Sequence, residues 1–360
     1  MDKKTKERSV AAPAETGLAE KDGQRPTLKT IAFMTGLGVT TVSRALKDAP
    51  EIGEATRRRV QLVARQIGYR PNRAGVRLRT GKTNVISLIL NTEDEVTGFL
   101  SDIIYGISEA LADTPYHLVV TPYSRTNDPL EPVRYVVETG SADGIIISRT
   151  EPDDPRVRYM VEHDFPFATH GRTAMGVTHP FHDYDNHAYA AQAVRTLVGA
   201  GRRKLALLPP PPFLTYYNET RNGFSEGLLE TGASEAPFPS AHLDLPLDRI
   251  RALAADLMCR KNRPDGIVSS GAGATIALVA GIEEAGLELG HDVDIVSKQS
   301  TQFLHWFRRQ IFIAHEDFTL AGRDVARALI KRIGGARPET LQAISRPVWE
   351  ERPVDAAGGE

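Results

Sequence analysis

Between residues 26 and 70, apolar side chains recur at the three- and four-residue spacings of a one-sided helical stripe. Leu28, Ile31 and Ala32 make the first set, and Val42, Ala45 and Leu46 the second. Val60, Val63, Ala64 and Ile67 make the third. The pattern predicts three short helices. Thr27 stands where an N-cap belongs, and Thr35-Gly36-Leu37-Gly38 forms the turn between the first two. From Asn84 the pattern changes to short apolar runs alternating with helical stretches. The runs are Val85–Leu90, Leu118–Val120, Gly144–Ile147, Lys204–Leu208, Gly266–Ser270 and Val293–Val296. Such alternation predicts an α/β domain with a parallel sheet, whose ligands sit beyond the carboxyl ends of the strands. Polar loops fall there: Asn91-Thr92-Glu93-Asp94, Arg149-Thr150, His170-Gly171-Arg172 and Gly271-Ala272-Gly273, together with Ser297-Lys298-Gln299 and the proline run 209–212. Residues 1–25 show no apolar periodicity and read as a disordered tail.

A chain of 360 residues has room for one small and one large domain. No apolar run approaches the roughly 18–20 residues of a membrane span, so no membrane partner is expected. The first residues lack the apolar core of a secretory leader, and Cys259 is the single cysteine. These features point to the cytoplasm and exclude an internal disulfide. The net charge of −2 conceals an asymmetry. Between Pro26 and Lys82, twelve Lys and Arg stand against three acids, Asp48, Glu51 and Glu54, which leaves +9. A basic module on an acidic body suits either a polyanion partner or a solvated helical surface.

Within that module, Leu37 to Leu46 reads as a DNA recognition helix. The residues at its start are short enough to lie in a major groove. Thr40, Thr41 and Ser43 can bond phosphates or base edges, and Arg44 can fork onto a guanine. Downstream, the run from Tyr69-Arg70-Pro71-Asn72 to Leu78-Arg79-Thr80-Gly81-Lys82-Thr83 resembles the hinge of the LacI family of regulators. Thr27-Leu28-Lys29-Thr30-Ile31-Ala32 and Thr41-Val42-Ser43-Arg44 resemble the same family, in its order and spacing. The likeness continues to about residue 345.

The resemblance implies a small all-α helix-turn-helix DNA-binding domain (26–71) and a hinge helix (72–83). An α/β two-lobed periplasmic-binding-protein-like sensor domain (84–345) and a C-terminal tail (346–360) complete the expected layout. Val39, Thr40 and Arg44 fall where these regulators read bases. Thr27, Thr41, Ser43, Lys47 and Asn72 fall where they touch the DNA backbone. Leu78 falls at the minor-groove wedge, where an aliphatic side chain can unstack a base step. Val39 is apolar where many relatives are polar, which suits a thymine methyl group. Gly75 replaces the usual hinge alanine, at a cost of up to about 1 kcal/mol in a helix. The implied partners are a palindromic operator, a second copy of the chain and a small sugar. Repression relieved by ligand is the commoner family logic. The reading calls for no cofactor, no catalytic residue and no resident metal.

For the sugar, the richest segment is His179-Pro180-Phe181-His182-Asp183-Tyr184-Asp185-Asn186. Asp183 and Asp185 alternate in an extended stretch, so both are expected to face one way and hold sugar hydroxyls. A metal site through His179, His182, Asp183 and Asp185 is one alternative, and a helix cap by Asp185 another. Glu93, Asp94, His170, Arg172, Arg221, Gln299 and Phe318 complete the expected effector set. Several family positions are altered. Thr220 replaces the usual Arg, with Arg221 one step nearer Gly223-Phe224. Gly271-Ala272 replaces Asn-Asp, and Ser297-Lys298-Gln299 replaces Gly-aromatic-Asp. The segments 91–95, 170–173 and 297–299 are similar to alpha-glucoside-utilisation regulators, which implies an alpha-linked disaccharide. A sugar-processing enzyme is the main rival. Gly271-Ala272-Gly273 can hold a phosphate at a helix start, but it lacks the third glycine of a dinucleotide loop and the Gly-Lys-Ser/Thr of a P-loop. A transported sugar-binding protein is the other rival.

Overall fold

The structure, a computed structural model, describes residues 26–69, 81–91, 98–124 and 126–350. It divides into two compact units at Gly81/Lys82. The residues expected to form a hinge, Asn72, Gly75 and Leu78, with Glu93 and Asp94, lie outside the described residues.

The first unit contains the three predicted helices, α1 (Leu28–Thr35), α2 (Val39–Ala45) and α3 (Glu54–Gln66). Thr27 caps α1 in a reciprocal capping box with Thr30. Gly36 ends α1 in the left-handed region at φ 67°, where a Cβ would be strained. The predicted stripes meet: Ile31, Val42, Ala45 and Val60 are fully buried, with Ala32 and Ala64 beside them.

In the second unit the chain builds one lobe, crosses to a second, and returns. The first lobe begins with β1 (Val85–Asn91), α4 (Phe99–Leu111), β2 (His117–Tyr123) and α5 (Glu131–Thr139). It continues with β3 (Gly144–Ser148), α6 (Pro155–Glu162), β4 (Phe167–His170) and β5 (Phe181–Tyr184). The second lobe runs through α7 (Asn186–Gly199), β6 (Lys204–Leu208), α8 (Thr215–Thr231), β7 (Ser234–Glu235) and α9 (Leu247–Met258). β8 (Gly266–Ser269), α10 (Ala272–Glu284), β9 (Asp294–Gln299), α11 (Phe303–Phe307) and β10 (Phe312–His315) follow. The chain then returns to the first lobe through α12 (Phe318–Ile333) and β11 (Gln342–Ser345), and the last described element, β12 (Val348–Trp349), lies in the second.

The sheet orders are β11-β5-β4-β3-β1-β2 and β12-β10-β9-β8-β6-β7. All pairings are parallel except β10 with β12. Every residue of β3 and β9 is buried, because helices cover both faces of a parallel sheet. Each of the six apolar runs lies on a strand to within one residue; β4, β5, β10 and the short edge strands escape that pattern because they carry few consecutive aliphatic residues. Two expectations are corrected. Ser297-Lys298-Gln299 is the end of β9 rather than a loop. Residues 348–349 form an edge strand, with Glu350 N donating to the Ile313 carbonyl at 3.0 Å, so order continues past 345.

Two local devices hold the first lobe in shape. Asp143 accepts hydrogen bonds from Thr83 N and Oγ1 at 2.7 Å and from Asn84 N at 2.9 Å, which fixes the chain as it enters β1. Gly106 and Gly322 let α4 and α12 touch backbone to backbone. A Cβ on Gly106 would stand 2.0 Å from the Thr319 carbonyl, and one on Gly322 2.3 Å from that of Ile103.

Candidate functional site

On α2 the apolar stripe turns Val42 and Ala45 into the core. The opposite face therefore carries Val39, Thr40 and Arg44, all exposed, with Thr41 and Ser43 half-buried and Lys47 exposed just beyond. Arg44 and Glu51 form an exposed ion pair at 3.5 Å, of a kind worth at most about 1 kcal/mol and easily exchanged for another partner. The loop after α2 is held from α3: Arg57 Nη1 donates to the Asp48 carbonyl at 3.2 Å, and Gln61 to the Asp48 carboxylate at 2.7 Å. Thr27 is exposed, with its hydroxyl engaged by the cap of α1.

In the second unit a cavity of about 190 Å³ lies between the lobes, at the carboxyl ends of the strands. Its aromatic wall comes from the first lobe and the returning helix. Phe99 meets Phe318 edge-on at 4.8 Å, and His170 packs 5.7 Å from both. Burial beside His182 pulls the His170 imidazole down to about 4, so it is neutral near pH 7.

The polar wall is cross-linked. Arg172 Nε donates to Asp183 Oδ2 and its Nη2 to Glu219 Oε2, each at 2.6 Å. The first link stays within one lobe, and the second spans the cleft to α8. Arg149 pairs with Asp244 across the same cleft, and Thr215 N donates to the Thr150 carbonyl at 2.9 Å. Burial raises the Glu219 carboxyl above its ordinary range, against the lowering pull of Arg172.

At the crossings lies a buried cation. Lys298 Nζ pairs with Glu316 at 2.6 Å, donates to Asn186 Oδ1 at 2.7 Å and stands 4.7 Å from the Tyr184 ring centre. Tyr189 and Tyr216 also face it, and Trp349 stacks on Tyr189. The pair is 8% and 10% exposed, so removing either partner leaves an uncompensated charge in an apolar setting.

His170, Arg172, Asp183, Gln299 and Phe318 all line the cavity. Two predicted residues do not. The extended stretch ends at Tyr184, and Asp185 turns away to cap α7, accepting from Ala188 N at 2.8 Å. Arg221 faces the outside of α8, bonded twice to Glu235 at 2.6 and 2.8 Å. Glu219, two residues earlier, takes the inward face with Thr215 and Tyr216, as the i, i+4 spacing from Thr215 would have signalled. Sequence reading also missed Phe99 and Asn186, whose roles depend on packing between distant segments. The histidines of the metal alternative are engaged otherwise: His182 bridges Asp324 at 3.0 Å and Ser345 at 2.9 Å, and His179 contacts the Pro180 carbonyl. Among the described residues no group of three or more His, Cys, Asp or Glu could hold a metal ion.

A helical head whose second helix presents short polar side chains and Arg44, joined in one chain to a two-lobed α/β body with an interlobe cavity, defines a ligand-responsive DNA-binding regulator. Residues 27–72 match the family of bacterial regulatory proteins of the lacI type. Residues 83–347 match the periplasmic binding proteins and sugar binding domain of the LacI family. The chain belongs to the LacI family. The transcriptional regulator RafR of Escherichia coli is 32% identical over 89% of this chain and 96% of its own length. The regulator AglR of Rhizobium meliloti is 32% identical over 75% of this chain and 76% of its own. Among solved structures, the regulator CelR in complex with cellobiose superposes with a TM-score of 0.65 at 24% identity, covering 91% of this chain and 99% of that one. The lac repressor dimer bound to operator gives a TM-score of 0.78 at 17% identity, over 91% and 98%. No helix among the described residues is long and apolar enough to cross a membrane.

Proposed function

We propose that this regulator represses sugar-utilisation genes as a homodimer on a palindromic operator, and that an alpha-linked glucoside in the interlobe cavity releases it. The observation that carries the sugar reading is a pair of unmet polar groups. Gln299 Nε2 and Ser270 Oγ are buried without a hydrogen-bond partner, and both residues line the cavity that Phe99 and Phe318 wall. Buried polar groups left without partners are costly, and hydroxyls of a sugar would satisfy them while its apolar face packs on the rings. Each cation around the cavity is paired: Arg172 with Asp183 and Glu219, Lys298 with Glu316, Arg149 with Asp244, three cations against four carboxylates. With every cation paired and one carboxylate in excess, the cavity favours an uncharged ligand over a sugar phosphate. The alpha linkage rests on the resemblance of segments 91–95, 170–173 and 297–299 to alpha-glucoside regulators.

For the head, we propose that Val39, Thr40 and Arg44 read base edges while Thr27, Thr41, Ser43 and Lys47 position the phosphates. Asn72 and Leu78 are assigned to backbone contact and to the minor-groove wedge. The test is calorimetric titration of the full-length protein with maltose, trehalose, cellobiose and glucose 6-phosphate, paired with operator release. Tighter binding of an alpha-linked sugar, with release of DNA, is expected. Equal binding of cellobiose removes the alpha preference, and a preference for glucose 6-phosphate overturns the neutral-ligand reading.

A further inference from the structure

Beside the interlobe cavity lies an open recess of about 370 Å³, lined by Arg172, Asp185, His187, Glu219, Asn222 and Ile344. Arg172 and Glu219 line both spaces, so the two meet at that cross-cleft ion pair. We propose that the recess is a second saccharide-binding subsite, which takes the next unit of an oligosaccharide whose first unit fills the cavity. The inference rests on the sugar reading of the cavity and adds the length of the ligand.

Size is the first argument. A cavity of about 190 Å³ is below the roughly 300–1,000 Å³ of sites that enclose drug-sized ligands. A disaccharide therefore needs room beyond it, and the recess is the adjoining space. Chemistry is the second. Ile344 is 48% exposed, an apolar surface on which a sugar ring can rest. Around it stand an amide, an imidazole and two carboxylates, groups that accept from and donate to hydroxyls. Asp185 uses Oδ1 to cap α7 and still lines the recess, so one carboxylate can serve the fold and the ligand together. Continuity is the third. A glycosidic linkage passing alongside the ion pair meets an acceptor, Glu219, and a donor, Arg172. Those two residues belong to opposite lobes, so a ligand long enough to reach them contacts both halves of the cleft.

Asn222 is exposed on α8, so its side chain can be enlarged without disturbing a core. The experiment titrates full-length wild type, Asn222→Trp and Asn222→Ala with glucose and with maltose, each variant first checked for an unchanged melting temperature. Filling the recess is expected to weaken maltose at least tenfold and glucose less than twofold, with Asn222→Ala weakening maltose about threefold. Unchanged maltose binding in Asn222→Trp overturns the subsite while leaving the cavity reading intact. Equal weakening of both sugars also overturns it, since the substitution then acts on the cavity. Wild type that binds neither sugar overturns the cavity reading and the subsite with it.

Discussion

The head and the sensor solve recognition in opposite ways. The head's proposed reading face falls within nine consecutive positions, Val39 to Lys47, and its side chains point outward because Val42 and Ala45 point inward. The sensor's cavity draws residues from Asn91 to Phe318, carried on both lobes and all facing inward. A groove-reading helix needs only a firm base beneath it, here six small and medium apolar residues. A cavity must desolvate its polar groups, so each of them depends on a partner brought from elsewhere in the chain. Damage to the head should therefore be local and specific. Damage to the sensor should spread into stability.

The largest expected effect comes from the buried cation. Lys298→Met should destabilise the sensor by about 3–5 kcal/mol, because Glu316 is left charged and buried. Both tryptophans of the chain, Trp306 and Trp349, belong to the second lobe, so tryptophan fluorescence in a urea titration reads that unit. Adding Glu316→Gln should recover much of the loss. A change below about 1 kcal/mol would mean that the sensor tolerates damage as locally as the head.

Asp183→Ala comes next. It removes the partner of Arg172 Nε inside the cavity and the proposed anchor of a sugar hydroxyl. Sugar affinity should fall by a factor corresponding to about 1–3 kcal/mol, with operator binding retained. Wild-type release of operator by maltose in this variant would place the sugar elsewhere.

Arg44→Ala probes the other side of the comparison at a similar or slightly smaller scale. A bidentate guanine contact is worth about 1–3 kcal/mol of discrimination. The ratio of operator to scrambled-DNA affinity should drop accordingly, while the sensor's urea transition stays where it was. A ratio that does not move would exclude base reading by Arg44.

The smallest effect is a pH dependence confined to the sensor. The folded His170 imidazole titrates at about 4, whereas in the unfolded chain it takes up a proton near 6.5. The unfolded state thus binds more protons between those values, and stability falls as pH drops from about 6.5 to about 4. His170→Asn should flatten that slope by at most about 1.4 kcal/mol per pH unit, the value for one proton taken up. Parallel stability–pH curves for the variant and wild type would mean that His170 is equally solvated in both states.

Comparing pattern with structure shows where periodicity carries information. The three head helices, the cap by Thr27 and the turn at Gly36 were legible because each depends on residues within four positions of one another. Five of the six aliphatic strands were legible because burial on both faces demands consecutive apolar residues, whereas the edge strand β2 keeps its aliphatic run largely exposed. The cavity was legible only in part. His170, Arg172, Asp183 and Gln299 follow from lying at or next to strand carboxyl ends, a rule of the fold class. The alternation argument failed for Asp185 because the strand stops one residue earlier and the chain turns into α7.

By itself, then, the sequence determined the helical head, the parallel α/β body, the exposed polar face of α2 and most of the segments that line the cavity. All of these arise from local spacing, backbone preference and the partition of apolar from charged side chains. Tertiary structure alone decided which polar groups share a cavity. It turned Glu219 inward and Arg221 outward on one helix, joined Arg172 to both lobes, and closed three tyrosines around Lys298. Those pairings link residues as much as 114 positions apart in the chain, Tyr184 and Lys298 among them. Their strength comes from exclusion of water, which no short stretch of sequence can produce and which exists only once the lobes have packed.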